Sequence, residues 1–388
     1  MQPHFDCIVV GAGSMGMAAG YYLARDGHQV ALFDSFDPPH TQGSHHGETR
    51  IIRHAYTTEG DTYVPLAKRA QQLWNELAEL TGKPLFLNTG SICIGAPGSG
   101  FVAEVERSAR AHQIPLEVLT GAEVRARFEG INVPDDYIGC YEPEAGVLRC
   151  EDCISSYREL ALAAGAELYT HTRVTAIEVQ PEGVTVQTSK GLFTARRLIV
   201  SAGAWSEQLL QSLYDHSLPL RPTRKTVGWF QPASTVYNAP QHATDAGEFP
   251  VFIFDLLQRQ YYGFPVLDGL GLKIGRHDSG ERINPDDDDR SFIAEDEEEL
   301  RWLLQRHMPG ANGDLTQGKV CIYTFTPDEH FIIDTLPDHP HVAVAAGFSG
   351  HGFKFVSVMG EILRDLVMTG QSEFNLSLFR ADRFGPNG

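Results

Sequence analysis

The chain has 388 residues, 42% hydrophobic and 21% charged, with 31 Lys and Arg against 50 Asp and Glu and a formal net charge of −19. At about 150 residues per domain this is two or three domains or two interleaved ones, and so acidic a surface repels nucleic-acid backbones and anionic lipid. No apolar run reaches the roughly 18 residues of a membrane span and no basic segment with a cleavage site precedes the first strand, so a cytoplasmic protein is expected.

Phe5–Val10 reads as a short apolar strand, and Gly11-Ala-Gly-Ser-Met-Gly16 follows it at once. A helical pattern from Met17 to Arg25, a stop at Gly27 and a second strand, His28–Phe33, complete a βαβ unit ending in Asp34. Gly11 suits the tight turn, Gly13 the approach of a pyrophosphate, Gly16 the packing of helix on strand, and Asp34 the ribose hydroxyls. Ser14 and Met15 belong to the same turn. A dinucleotide site is the expectation.

A loop at 38–53 rich in Gly, Ser and His leads to a helix over 63–80. Between 85 and 145 strand-like runs such as Ser91–Ile94 alternate with short helices (101–113, 120–128), as in an inserted part of another domain. Cys150-Glu-Asp-Cys153 has C-x-x-C spacing but no second pair or His cluster, so it reads as two thiols at the start of a helix over 154–164. The six cysteines (Cys7, Cys93, Cys140, Cys150, Cys153 and Cys321) are too scattered for a disulfide framework, and no metal site is expected. Strands over 167–180, 184–188 and 195–200 return to the dinucleotide domain, the last ending in Ser201-Ala-Gly203. From 220 to 330 the runs 226–230, 252–254, 260–264, 272–275 and 320–323 suggest a mainly antiparallel sheet. Asp286–Asp289 lacks the alternation and Gly of a calcium loop and reads as a solvated helix start. A buried-type strand over 341–346 precedes Gly347-Phe-Ser-Gly-His-Gly352 and a helix over 355–367.

Ser44-His-His-Gly-Glu-Thr-Arg-Ile-Ile-Arg-His-Ala-Tyr56, Leu272-Lys-Ile-Gly-Arg-His277, Val320-Cys-Ile-Tyr323, Asp328-Glu-His-Phe-Ile-Ile-Asp334 and Ala346-Gly-Phe-Ser-Gly-His-Gly-Phe-Lys354 together resemble the family of monomeric sarcosine oxidase and N-methyltryptophan oxidase. The resemblance runs from Cys7 to about Phe384. It implies an α/β fold: a Rossmann-like FAD-binding domain in three pieces (1–85, 146–220, 325–388), interleaved with a substrate domain on a largely antiparallel sheet (86–145, 221–324). It also implies oxidation of an N-methyl amino acid by FAD, with release of a primary amino acid and formaldehyde and reduction of O2 to hydrogen peroxide. Family precedent suggests a monomer without macromolecular partners.

Residue by residue, the resemblance makes Cys321 the covalent attachment point of the flavin and sets Arg50 against the flavin ring. Arg53 and Lys354 become the cations for the substrate carboxylate, an apt use of a planar guanidinium fork. Read without the resemblance, two arginines three apart are a solvated helix face. Lys273 matches a lysine that assists oxygen reduction by stabilising superoxide; by itself it would be an edge-strand lysine turned to water. His277, Tyr262 and Tyr323 match pocket-lining positions. His45 and His46 shape the flavin loop, with His46 nearer the ring. Val174 is placed against the adenine, Ser201, Gly203 and Trp205 against the dinucleotide, and Gly347, Gly350, His351, Gly352 and Lys354 beside the flavin pyrimidine at a helix N-terminus.

The stretches Asp328–Asp334 and Met308–Gly313 look nearer the sarcosine branch, whereas Leu378-Phe379 and Ala381–Phe384 look somewhat like the tryptophan branch. Thr57–Gly60, Phe325 and Pro327 depart from the family pattern near the pocket mouth. Sarcosine is the expected substrate; N-methyltryptophan and a cyclic imino acid are alternatives, and a dehydrogenase subunit passing electrons to a partner protein is the reading from another class.

Overall fold

A computed structural model describes residues 4–57, 59–211, 213–214, 217–240, 249–287 and 289–385. Thr58, residues 241–248 of the 240–260 loop, Asp288 and the terminal Pro-Asn-Gly lie outside the described residues. The chain begins β1 (His4–Val10), α1 (Ser14–Arg25), β2 (Val30–Phe33), β3 (Thr49–Ile52), α2 (Gly60–Thr81), β4 (Phe86–Leu87) and β5 (Ser91–Gly95). It continues through α3 (Gly100–Ala111), β6 (Glu117–Thr120), α4 (Gly121–Arg127), β7 (Ile138–Glu142), β8 (Gly146–Arg149) and α5 (Cys150–Ala163). Then come β9 (Glu167–Tyr169), β10 (Val174–Gln180), β11 (Gly183–Thr188), β12 (Gly191–Val200), α6 (Ser206–Leu210), β13 (Arg221–Phe230), β14 (Val251–Asp255), β15 (Gln260–Phe264) and β16 (Leu272–Arg276). The last elements are α7 (Ala294–His307), β17 (Leu315–Phe325), β18 (Ile332–Leu336), β19 (His339–Ala346) and α8 (Val356–Thr369).

The first sheet runs β10-β11-β12-β1-β2-β9, with β19 and β18 attached through β12. Its centre is parallel, β1 lying between β2 and β12, and β12 also pairs in parallel with β19 over Leu198–Val200. Such central strands are covered on both faces and therefore read as unbroken apolar runs. In β1 only the first residues reach solvent. α1 is buried from Met15 to Ala24 because it is wedged between the sheet, α5 and α8. Both predicted strands around the first turn form, and the fold is the expected α/β type.

The second sheet runs β17-β13-β16-β15-β14-β5-β7-β6 and is antiparallel except for β14 against β5. That parallel contact brings the block 91–142 into the sheet built by residues 221–325. A third, small sheet runs β3-β8-β4.

Several expectations are corrected. Residues 167–180 form two strands, because the Thr170–Arg173 turn carries His171 at φ 48. The acidic run before α7 does not start a helix: Asp286 accepts from Trp205 Nε1 at 2.8 Å and pairs with Arg173 at 3.1 Å, and α7 begins only at Ala294. Arg50 and Arg53 are not on a helix: Arg50 lies in β3, paired with β8, and Arg53 follows directly after the strand. α5 starts at Cys150 itself, and all six cysteines are buried and free. Among the described residues no helix is long and apolar enough to cross a membrane, and no group of metal-ligating side chains is assembled.

Candidate active site

A cleft of about 190 Å³ opens at the carboxyl ends of the parallel strands. Gly11, Gly13, Ser14, Met15, Asp34, Ser44, His45, Arg50, Val174, Ser201, Gly203, Trp205, Tyr323, Gly347, Gly350 and Gly352, each singled out in the sequence, line it. Gly11 turns the chain at φ 91, where a Cβ would lie 2.5 Å from the Ser201 carbonyl oxygen. A Cβ on Gly16 would lie 2.0 Å from the Gly11 oxygen, which is why helix and strand can pack so closely. Gly13 caps α1 without a side-chain hydrogen bond, so the first amides of the helix face the cleft, as an anionic pyrophosphate requires. Asp34 accepts from the Phe36 amide at 2.9 Å and lies 3.4 Å from His40 Nε2.

These residues fit a dinucleotide, and the far end of the cleft fits a flavin ring. Both ring nitrogens of His46 are buried without a partner among the described residues. Burial, then the cations Arg50, Lys319 and Lys273, push that imidazole down to about 3, so His46 is neutral. Arg50 is fixed by donating from Nη2 to the Ser44 and His46 carbonyls at 2.6 and 2.9 Å and from Nη1 to Thr49 O at 2.8 Å. Its guanidinium reaches Cys150 Sγ at 3.8 Å and Cys321 Sγ at 4.0 Å. Cys321 is buried on β17, its Sγ 3.7 Å from Ser44 O.

Lys273 lies on β16, an interior strand flanked by β13 and β15, so the edge-strand reading fails. Its Nζ donates to Gly47 O at 2.5 Å, Thr49 O at 3.0 Å and Thr49 Oγ1 at 3.1 Å, over the rings of Phe264 and Trp229. Burial, then the Arg50 charge, lowers it to about 7. The loop it holds is gripped from the other side by Glu151, which accepts the Gly47 amide at 2.8 Å and the Glu48 amide at 3.1 Å.

A second cavity of about 560 Å³ joins the first at Arg50, Tyr323, Gly350 and Phe353. It gathers Arg53, Tyr262, His277 and the pair His351 and Lys354 from four separate stretches. Arg53 donates to Ala55 O and lies over the rings of Tyr56 and Phe101. Lys354 donates to His351 O at 2.8 Å and lies over Tyr56 and Phe355. Burial, then Arg53, holds Lys354 well below its ordinary value. Both cations are buried, at 9% and 7% exposure, and neither is ion-paired with a described residue. His277 is lowered to about 4 by burial and then by Lys225 and Lys354. Tyr323 donates to the Tyr262 hydroxyl at 3.0 Å.

The sequence-predicted residues do not all share one cavity. His351 and Lys354, read as cofactor contacts, line the second cavity; His46, Gly16 and Cys321 stand behind the walls; Lys273 lines a third cavity of about 70 Å³. His351 Nε2 donates to Glu329 O at 3.0 Å, which leaves Nδ1 to accept from Tyr56 OH at 2.5 Å. Sequence reasoning missed Lys225, Glu142 and Glu151, whose partners lie 52 to 104 residues away; unusual burial marks the first two.

Residues 6–366 match the family described as FAD dependent oxidoreductase. Monomeric sarcosine oxidase from Bacillus sp. (strain B-0618) is 50% identical over 386 residues, 99% of this chain and 97% of that protein. N-methyl-L-tryptophan oxidase from Citrobacter koseri is 42% identical over 383 residues, 98% and 99% of the two chains. Among solved structures, glycine oxidase from Geobacillus kaustophilus superposes with a TM-score of 0.83 at 22% identity, over 98% of this chain and 99% of that one.

Proposed function

The chain belongs to the FAD dependent oxidoreductase family and, within it, to the group of monomeric sarcosine oxidase and N-methyl-L-tryptophan oxidase, and we propose that it is a secondary-amine oxidase converting sarcosine, O2 and water to glycine, formaldehyde and hydrogen peroxide. The observation that carries the substrate class is the pair Arg53 and Lys354, two buried cations without a counter-ion among the described residues, in the wall of a cavity continuous with the dinucleotide cleft. Buried charges of one sign are costly unless an opposite charge joins them, and an amino-acid carboxylate supplies it.

FAD, when bound, would accept the two electrons of an N-methyl C–H bond, whose loss leaves a C=N bond for water to hydrolyse. Arg53 and Lys354 hold the carboxylate, while Tyr56, Phe101, Tyr262 and Tyr323 exclude water and set the N-methyl end toward Arg50. The surrounding positive charge disfavours a protonated amine, so the substrate nitrogen is bound neutral, the form that can be oxidised. His277, already neutral, lends the pocket a hydrogen-bonding edge without adding charge.

The reading includes three further assignments. Cys321 is the covalent attachment point, supported by its burial beside Arg50 and by Tyr323 and Thr324 of the same strand lining the cleft. Lys273 serves oxygen, supported by its burial beside Arg50 and the loop at Gly47. The two-part division of the chain, at the boundaries expected from sequence, is supported by strand membership: β5–β7 and β13–β17 in one sheet, β1, β2, β9–β12, β18 and β19 in the other. The name monomeric sarcosine oxidase, carried by relatives 50% and 51% identical to this chain, favours a monomer. N-methyltryptophan is kept as the second substrate because the cavity, about 560 Å³ with aromatic walls, has room for an indole.

The test is anaerobic bleaching of the bound flavin by sarcosine, N-methyltryptophan and proline in parallel. Rapid bleaching by sarcosine is expected. Bleaching by N-methyltryptophan or proline alone would move the substrate, and a visible flavin that none of them reduces would overturn the reading.

A further inference from the structure

Lys225 lies on β13, an interior strand, and is 3% exposed. The proposed reaction makes no use of it. A lysine ammonium is seldom buried without partners, and the partners here are informative. β13 and β16 pair regularly from Phe230↔Leu272 to Val227↔Gly275. The ladder then opens, and contact resumes only where the Arg224 amide donates to Glu281 O at 2.9 Å and Thr223 bridges Arg282. Between these points residues 276–280 form no ladder rung with β13, and their carbonyls are left to other donors. The Lys225 Nζ stands in the gap, donating to His277 O at 2.5 Å and to Ser279 O.

The opposite side of His277 is held as well. Its amide donates to Gln260 O at 2.7 Å, and Asp278 accepts the Gln260 amide at 2.9 Å. Both ends of the His277 residue are therefore tied, one to β15 and one to Lys225, and its ring is left to face the 560 Å³ cavity. Lys225 is also opposite Cys321 in the β13–β17 ladder. Its ammonium lies over the rings of Tyr323 and Phe325, 5.3 and 5.1 Å from their centroids, and the His277 ring is 5.8 Å from that of Tyr323.

We propose that Lys225 is a positioning residue for substrate binding, whose ammonium closes the opened ladder and thereby fixes His277 and Tyr323 at the pocket wall. It touches neither cavity itself, so its effect passes through those two side chains. The inference rests on the reading of the Arg53–Lys354 cavity as the substrate pocket.

The experiment uses the flavin-loaded protein and methoxyacetate, which matches sarcosine in shape but has oxygen where the oxidisable nitrogen would be. Its Kd is read from the perturbation of the flavin absorbance in four proteins: wild type, Lys225→Met, His277→Ala and the double variant, each with its thermal midpoint. Lys225→Met is expected to weaken binding about 10-fold and to raise KM for sarcosine more than it lowers kcat. In the His277→Ala background the same change should cost less than about 2-fold, because contacts acting through one another are not additive. An unchanged Kd in Lys225→Met, or an equal loss in both backgrounds, overturns the inference. If Lys225→Met does not fold, Lys225→Gln, whose amide can still reach one carbonyl, is put through the same cycle with the same two outcomes. Failure of the wild type to bind methoxyacetate, or binding indifferent to Lys354→Met, would bring down the pocket reading together with this one. Normal wild-type binding that ignores Lys225 would overturn this one alone.

Discussion

Glu142 and His54 form a buried pair in which one carboxylate oxygen accepts from both the ring Nδ1–H, at 2.6 Å, and the backbone N–H, at 2.8 Å, of the same histidine. The other oxygen takes the Ala55 amide at 3.0 Å. Arg53 immediately precedes this turn and donates to Ala55 O. A carboxylate on β7 of the second sheet thus anchors the turn to which the Arg53 guanidinium, in the wall of the 560 Å³ cavity, is tied. Glu142→Gln turns an amide N–H₂ toward donors that need an acceptor. It should cost about 1–3 kcal/mol in urea unfolding and raise KM for sarcosine, whereas Glu142→Asp should recover part of both.

The carboxylate site makes a signed prediction about pH. Lys354 is depressed in the free protein by burial and by Arg53, and an arriving carboxylate favours its charged form. Affinity for a carboxylate ligand should therefore be highest where Lys354 is already protonated and fall as pH rises through its depressed value. Lys354→Met should weaken binding about 10- to 100-fold and remove that pH dependence, as titrations with methoxyacetate at several pH values would show.

His277 makes the opposite prediction. With its value lowered to about 4, the imidazole is neutral throughout the working range. His277→Asn should leave every inflection of the kcat/KM profile between pH 6 and 9 where it is in the wild type. A lost inflection would mean that the histidine titrates there.

Lys273 separates the two halves of the reaction. Lys273→Met should slow consumption of oxygen by the reduced enzyme by about 100-fold or more, and slow anaerobic reduction by sarcosine far less. Stopped-flow measurement of both halves decides it; equal losses would deny Lys273 a special role with oxygen.

Cys321→Ser should leave a protein that binds FAD but releases it on acid denaturation, whereas the wild type should retain its colour in the precipitate. Cys150→Ser, at the other side of the Arg50 guanidinium, should behave as the wild type does.

The parts of the fold that were legible in the sequence are those set by neighbours in the chain. The strand, glycine turn, helix and second strand around Gly11–Gly16 form where they are read, since each depends on residues a few places away. Cys150 and Cys153 were legible as helix-start thiols for the same reason. Lys273 could be singled out only through resemblance, because its burial depends on strands β13 and β15 pairing on either side of it. Glu151 was hidden inside a C-x-x-C spacing that drew the eye to sulfur, while its carboxylate grips amides at 47 and 48. The acidic run before α7 misled because the tie from Asp286 to Arg173 and Trp205 spans 113 and 81 residues, and no periodicity records it.

The arrangement of β12 has a consequence for how the protein is made. That strand takes β1 on one side, while its other side is shared between the β11 hairpin and β19, whose last residue runs straight into the Gly347–Gly352 wall of the cleft. During synthesis the early strands must wait, with β12 open along part of its edge, until residue 346 has left the ribosome. Pairing over such separations is slow and leaves unpaired edges exposed meanwhile. A message cut short before β19 would give a polypeptide with the glycine turn and Asp34 intact and half a nest for the dinucleotide, so capture of the cofactor is an event of the finished chain.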